Sequence, residues 1–133
     1  MKRRKRILIV DDEASLTRLL KLSLEGTGHY EVRVENESAA ALGAAQEFRP
    51  DLILLDVLMP GLDGGEVCHQ LERQAGGQKA PVVFLTAAAK KEEIDKRGGM
   101  IGGYPFLAKP VDLEELVQCI EKHSPAPGQW GRI

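Results

Sequence analysis

Five polar residues stand at the ends of short apolar runs, and their side chains are of the kinds that bind metal ions and phosphate. In chain order they are Asp11, Asp12, Asp56, Thr86 and Lys109. Carboxylates that share a pocket repel one another, by roughly 4 kcal/mol per pair at ~4 Å and an effective dielectric constant of about 20. A hard divalent cation such as Mg²⁺ (or Mn²⁺) relieves this repulsion. A carboxylate nucleophile, a metal ion, a lysine and a hydroxyl group together make a phosphoryl-transfer site.

Each of these residues has an ordinary structural explanation when it is considered alone. An aspartate after a strand often caps a helix, a threonine often ends a strand, and a lysine is usually solvated. Their convergence is what favours chemistry, because the carboxyl ends of parallel strands meet at one sheet edge, where open α/β sheets bind ligands. Asp56 follows four consecutive aliphatic residues at 52–55, and such a run predicts a strand buried on both sides. Asp56 is therefore the predicted reactive group.

Apolar runs and changes of hydrophobic period predict five strands that alternate with five helices. The strands are predicted at residues 7–10, 30–34, 52–55, 81–85 and 104–108. The helices are predicted to begin at or near Ala14, Asn36, Gly64, Lys90 and Asp112. This alternation predicts an α/β domain with a parallel sheet and right-handed crossovers.

Several local expectations accompany this assignment. Asn36 and Asp112 are predicted to cap the second and fifth helices, since their side chains can accept hydrogen bonds from free backbone N–H groups. Leu19 is predicted on the apolar stripe of the first helix, and Leu113 on the inward face of the fifth. The fourth helix is predicted to be short and mobile, because Ile94 is its one apolar anchor and four glycines follow it closely.

The composition limits the class of protein. The chain has 133 residues, of which 43% are hydrophobic and 29% are charged, and a net charge of −2. These values are typical of one globular domain and favour neither nucleic acid nor an acidic membrane surface as a partner. We expect a domain at residues 1–123 with its core at 6–123, a flexible tail at 124–133, and no output domain. Cys68 and Cys119 are predicted to be free thiols, and a cytoplasmic location is expected.

The motifs at residues 9–13, 50–64, 85–87 and 106–110 resemble, in this order and spacing, those of the receiver domain of bacterial response regulators, the CheY-like superfamily. The resemblance covers nearly the whole chain. It implies a flavodoxin-like, doubly wound sheet of five parallel strands in the order 2-1-3-4-5. It also implies that Asp56 accepts a phosphoryl group from a phosphohistidine of a sensor histidine kinase or phosphotransfer protein.

The resemblance implies a set of Mg²⁺ ligands as well. Asp12 would bind the ion directly and Asp11 mainly through water. Asp56 and the backbone carbonyl of Leu58 would be the other protein ligands.

The resemblance further implies how such a site would act as a switch. Lys109 would contact the phosphoryl group, and its bond to Pro110 is a candidate cis peptide. Thr86 would move toward the phosphorylated Asp56, and the Phe106 ring would turn into the vacated space. This change would bias a protein-interaction surface made by the fourth helix, fifth strand and fifth helix. A phosphorylation-dependent dimer is one use of such a surface.

Two positions near the site are apolar where the family's residues influence the hydrolytic water. Leu58 lies two residues beyond Asp56, and Ala88 lies two residues beyond Thr86. They predict a relatively long-lived phosphoaspartate.

Two other interpretations are open at this point. A receiver-like module that binds proteins without being phosphorylated is disfavoured, because no acid, threonine or lysine of the site is missing. A phosphatase of the haloacid dehalogenase type would need an acid two residues after its aspartate nucleophile, where this chain has Leu58. In the favoured interpretation the signal passes by contact with a protein target, and neither nucleic acid nor a membrane is a direct partner.

Overall fold

A computed structural model describes residues 3–59, 64–74 and 80–124 of the chain. The strands are β1 (Lys5–Val10), β2 (Tyr30–Glu35), β3 (Leu52–Asp56), β4 (Val82–Thr86), β5 (Met100–Ile101) and β6 (Tyr104–Ala108). The helices are α1 (Ala14–Gly26), α2 (Ala41–Phe48), α3 (Gly64–Gln74), α4 (Lys91–Lys96) and α5 (Leu113–His123). A short 3₁₀ turn, Ser38–Ala40, precedes α2.

The strands form one sheet in the order β2-β1-β3-β4-β6-β5. The first five strands of this order run parallel, and β5 pairs antiparallel with β6. Alternate residues of β1 and β3 point into two apolar layers, one shared with α1 and α5 and the other with α2 and α3. The fold is flavodoxin-like, as predicted, and every residue of β3 is buried.

The prediction of five strands was wrong at one edge, because the glycine-rich segment contains a hairpin. Ile101 of β5 pairs with Tyr104 of β6, so Gly102 and Gly103 are the two central residues of the turn. Their φ angles are 60° and 87°, and a hairpin turn with two positive φ values favours glycine at both positions. A two-residue strand is too short to give a hydrophobic pattern, so the extra strand left no other signal in the sequence.

The helix before this hairpin is short, as predicted. It ends with two hydrogen bonds, from Gly98 N–H to the Asp95 carbonyl (3.0 Å) and from Gly99 N–H to the Ile94 carbonyl (2.9 Å). This pair is the Schellman arrangement that ends many helices. Ile94 is buried and is the anchor that the sequence predicted. Whether α4 is mobile stays a prediction.

Two predicted core positions were wrong. Leu19 is 60% exposed, because the inward face of α1 is defined by Thr17, Leu20 and Leu24, at spacings of three and four residues. Leu113 is 39% exposed because it begins α5, one turn before the buried Leu116.

The predictions for Asp112 and for the two cysteines were confirmed. The Asp112 carboxylate caps α5 by accepting a hydrogen bond from Glu115 N–H (2.7 Å). Cys68 and Cys119, the two cysteines of the chain, form no disulfide and are buried and half-buried respectively. No helix within the described ranges is long and apolar enough to span a membrane. The predicted loop after Met59, the end of the third helix beyond Gln74, and most of the predicted tail lie outside the described residues.

Candidate functional site

The parallel pairing of β1 and β3 brings the predicted acids together. Val10 pairs with Leu55, so Asp11 and Asp56 leave the sheet side by side. Carboxylate oxygens of Asp11, Asp12 and Asp56 lie within 4.8 Å of one another. Asp11 and Asp56 are buried, whereas Asp12 is exposed.

Lys109 follows β6, two strands away from β3 in the sheet, and its side chain extends to this group of acids. Its backbone N–H donates to the Thr86 carbonyl (2.8 Å), which continues the β4–β6 pairing to the edge. Its ammonium Nζ lies 2.7 Å from Asp11 Oδ2 and 3.6 Å from Asp56 Oδ1. The Lys109–Pro110 peptide is cis, as predicted.

Burial and neighbouring negative charge disfavour the ionised form of the Asp56 carboxyl group. Burial, followed by the charge of Asp11, raises the pKa of Asp56 to about 6, against the opposing effects of Lys109 and a hydrogen bond from Leu58 N–H (3.3 Å). Burial disfavours the charged form of Lys109, but its contacts with Asp11 and Asp56 outweigh that effect and raise its pKa. A carboxyl group with a strongly raised pKa at a sheet edge is typical of a functional site.

The donor set fits a hard divalent cation. Three carboxylates offer oxygen atoms in one small space, and oxygen is the ligand atom that Mg²⁺ prefers. Asp11 Oδ1 is held by Glu13 N–H (2.9 Å). Asp11 Oδ2 is buried and, within the described residues, accepts no well-directed hydrogen bond, although it faces the Lys109 ammonium. The Leu58 carbonyl stays a predicted ligand; the Leu58 side chain is 65% exposed.

The two predicted switch residues lie on neighbouring strands. Thr86 is the buried last residue of β4, and its Oγ1 accepts a hydrogen bond from Ala88 N–H (2.9 Å). Phe106 pairs in register with Phe84, and their ring centroids are 5.0 Å apart. Phe106 packs, half-buried, on the core layer shared with α2 and α3. Their roles in switching stay predictions.

Sequence reasoning missed two residues that shape the site. Glu13 Oε1 lies 3.2 Å from Lys109 Nζ, and its place directly after the acid pair was the available signal. Gly64 begins α3 where its N–H donates to the Val57 carbonyl (2.8 Å). A Cβ on Gly64 would collide with the Asp56 carbonyl oxygen and lie 2.8 Å from Val57 Cα. The sequence marks Gly64 as a helix boundary but does not reveal this close approach.

The prediction that Asn36 caps the second helix was wrong. The residue before α2 is Ala40, and it forms no side-chain cap. The Asn36 amide instead donates to the Asp11 carbonyl (2.8 Å) and to Thr17 Oγ1 (3.0 Å). Asn36 follows β2. All five parallel strands, β2 included, therefore end beside a polar residue at this edge of the sheet.

The family model of the response regulator receiver domain matches residues 7–121. The chain belongs to the response regulator receiver family. This receiver domain is 41% identical over 115 residues to the DNA-binding response regulator MtrA of Mycobacterium tuberculosis, covering 86% of this chain and 48% of MtrA. It is 43% identical over 113 residues to the alkaline phosphatase synthesis transcriptional regulatory protein PhoP of Bacillus subtilis, covering 84% and 45%. The chain thus spans less than half the length of these relatives.

Solved structures give the same assignment. The Vibrio cholerae chemotaxis protein CheY4 superposes on this receiver domain with a TM-score of 0.76 at 29% identity, covering 91% of this chain and 99% of CheY4. The BeF3-activated N-terminal receiver domain of Klebsiella pneumoniae RstA superposes with a TM-score of 0.70 at 27% identity, covering 90% and 97%.

Proposed function

We propose that this receiver domain accepts a phosphoryl group on Asp56 from a phosphohistidine of a sensor histidine kinase or phosphotransfer protein. The supporting observation is that three carboxylates and the Lys109 ammonium meet at the carboxyl ends of β1, β3 and β6. Family membership supports the histidine-containing donor, since response regulators act in two-component signalling.

The proposed transfer uses the Asp56 carboxylate, the Lys109 ammonium and the neighbouring acids. A carboxylate oxygen of Asp56 attacks phosphorus, an O–P bond forms, the P–N bond breaks, and the imidazole leaves with the electron pair. The Lys109 ammonium, 3.6 Å from Asp56 Oδ1, pairs with the charge of the phosphoryl oxygens. Asp11, Asp12 and Asp56 would hold Mg²⁺, and a bound ion would neutralise charge on the acids and on the transferring group.

Phosphorylation would add a charge of about −1.5 to −2 at the edge of the sheet. In the proposed switch the Thr86 hydroxyl turns to the phosphoryl group, and Phe106 follows into the space that it leaves. This change would bias the surface made by α4, β6 and α5. The short strand β5 extends that surface at the edge of β6. An ion pair between Lys91 and Glu115 (3.2 Å) already joins α4 to α5 across this surface.

Acetyl phosphate provides a test that needs no knowledge of the kinase. In the presence of Mg²⁺, intact-mass measurement should show one added phosphoryl group on the wild type. The Asp56→Asn variant, and the wild type in EDTA, should gain none. A wild type that gains no phosphoryl group would favour a module that binds proteins without being phosphorylated.

The rim of the site supports a long-lived phosphoaspartate. Leu58 and Ala88 are both exposed, and neither side chain can orient an attacking water. We expect Leu58→Asn to shorten the lifetime of the phosphorylated protein, measured by intact mass after acetyl phosphate is removed. Decay of the wild type that is faster than decay of the variant would contradict this expectation.

The proposed output is contact with a protein target, with a phosphorylation-dependent dimer as one form of it. DNA binding is part of the name of MtrA, a protein of which this chain covers 48%. The expectation that the receiver domain itself contacts no nucleic acid therefore stays a proposal.

A further inference from the structure

The end of β2 lies next to the loop that carries Asp11 and Asp12. The last residue of β2, Glu35, pairs in register with Val10, so Asn36 leaves the sheet beside Asp11. The Asn36 amide donates one hydrogen bond to the Asp11 carbonyl (2.8 Å) and one to Thr17 Oγ1 (3.0 Å). One side chain thus bridges the end of β1 and the first turns of α1.

Thr17 extends this bridge. Its hydroxyl accepts the bond from Asn36 and donates to the Ala14 carbonyl (3.0 Å). The Thr17 side chain is buried, so these bonds are shielded from water and leave the hydroxyl little freedom to rotate. The loop from Asp11 to Ala14 is therefore held at both ends by the same amide–hydroxyl pair.

The carbonyl is the backbone group of Asp11 that the Asn36 amide holds. The Asp11 N–H donates to the Glu35 carbonyl (3.1 Å), and Asp11 Oδ1 accepts from Glu13 N–H (2.9 Å). The carbonyl belongs to the peptide that joins Asp11 to Asp12, and the plane of this peptide sets the direction in which the exposed Asp12 carboxylate leaves the loop. Asn36 fixes that plane.

We propose that Asn36 is a positioning residue for the metal-binding acids, acting through the Asp11–Asp12 peptide with Thr17 as its support. This inference rests on the proposed Mg²⁺ site. Without the amide the peptide can rotate, and the Asp12 carboxylate is aimed at the ion for a smaller fraction of the time. Loss of a partner that orients a metal ligand typically weakens metal affinity by about 10–100-fold. Because Asn36 holds the backbone and not the ligand itself, we expect a loss of about ten-fold.

Mg²⁺ binding to the unphosphorylated protein, measured by isothermal titration calorimetry, tests the proposal without any activity assay. Asn36→Ala should raise the Kd by about ten-fold. Thr17→Val, which keeps the size of the side chain but removes the hydroxyl, should also raise it. Thr17→Ser, which keeps the hydroxyl but loses a buried methyl group, should leave the Kd near the wild-type value while lowering the melting temperature.

The outcomes separate this inference from the proposed function. Wild-type affinity in Asn36→Ala would overturn the positioning role and leave the Mg²⁺ site intact. Affinities that follow the melting temperatures of the four proteins, and not the presence of the amide and hydroxyl, would also overturn it, because they would indicate a structural role only. A wild type that binds no Mg²⁺ would overturn both proposals together.

Discussion

Replacing Asp56 by asparagine should stabilise the fold when no divalent cation is present. The pKa of Asp56 is raised from 3.8 to about 6, first by burial and then by the neighbouring Asp11 carboxylate. A raised pKa means that the folded state holds the proton more tightly than the unfolded state, so ionisation of Asp56 works against folding. The interval between 3.8 and about 6 corresponds to about 3 kcal/mol at neutral pH. An amide removes this penalty and keeps the shape of the side chain.

The sign of the effect sets its pH dependence. Below pH 3.8 the carboxyl is protonated in both states and carries no penalty, and the penalty grows as pH rises from 3.8 to about 6. The variant should therefore be more stable than the wild type by about 2–3 kcal/mol at neutral pH, and by little below pH 3.8.

Asp51, the residue just before β3, provides a matched control at the other end of the same strand. It is buried, accepts a hydrogen bond from Arg6 N–H (2.8 Å) and lies 3.6 Å from the Arg3 guanidinium. Asp51→Asn weakens these charged contacts and should destabilise the fold by about 1–3 kcal/mol. The same chemical change should thus have opposite signs at the two ends of β3.

Denaturant unfolding in EDTA measures both variants. Added Mg²⁺ should stabilise the wild type, by about 2.7 kcal/mol at a hundredfold excess over Kd, and so narrow its gap to Asp56→Asn. An Asp56→Asn variant that is no more stable than the wild type in EDTA at neutral pH would refute the reasoning. A gain that persists unchanged below pH 3.8 would refute it equally.

Two further predictions concern the close approach at Gly64 and a hydrogen bond at the opposite end of the sheet. Gly64→Ala places a Cβ against the Asp56 carbonyl oxygen, so we expect a loss of about 1–3 kcal/mol in unfolding free energy and slower phosphorylation by acetyl phosphate. Gly43 lies on the exposed face of α2 with open space around it, so Gly43→Ala should raise the unfolding free energy by about 0.5–1 kcal/mol. Equal changes in unfolding free energy for the two variants would contradict the close approach at Gly64. Tyr30→Phe removes the hydrogen bond (2.6 Å) that lowers the pKa of Glu121, and should cost about 1 kcal/mol at neutral pH. A lowered carboxyl pKa stabilises the fold only when the carboxyl is ionised, so this cost should shrink as the pH falls below 4.5. A loss of unfolding free energy that denaturant unfolding finds to be independent of pH would contradict the prediction.

The central strands and their terminal acids were predictable because their signals are local. An unbroken aliphatic run such as residues 52–55 has no solvent face, and a parallel sheet is the structure that buries both sides. The convergence of Asp11, Asp56 and Lys109 followed from the same topology, since all three leave parallel strands at their carboxyl ends.

The features that escaped prediction depend on backbone and side-chain contacts that a local sequence pattern does not encode. An asparagine after a strand can cap a helix or bond across the sheet, and the approach of Asn36 to Asp11 decides which of these occurs. The requirement for glycine at Gly64 arises from the backbone of Asp56, eight residues earlier. The two-residue strand β5 exists because the Gly102–Gly103 turn folds it onto β6.

The most direct test of the central claim is to locate the phosphoryl group on the chain. After reaction with acetyl phosphate and Mg²⁺, borohydride reduction converts an aspartyl phosphate into a stable product, and peptide mapping by mass spectrometry identifies the residue. We predict modification of Asp56 alone. Modification of Asp11 or Asp12 in its place, or a chain with no modified aspartate, would contradict the assignment of Asp56 as the phosphoacceptor.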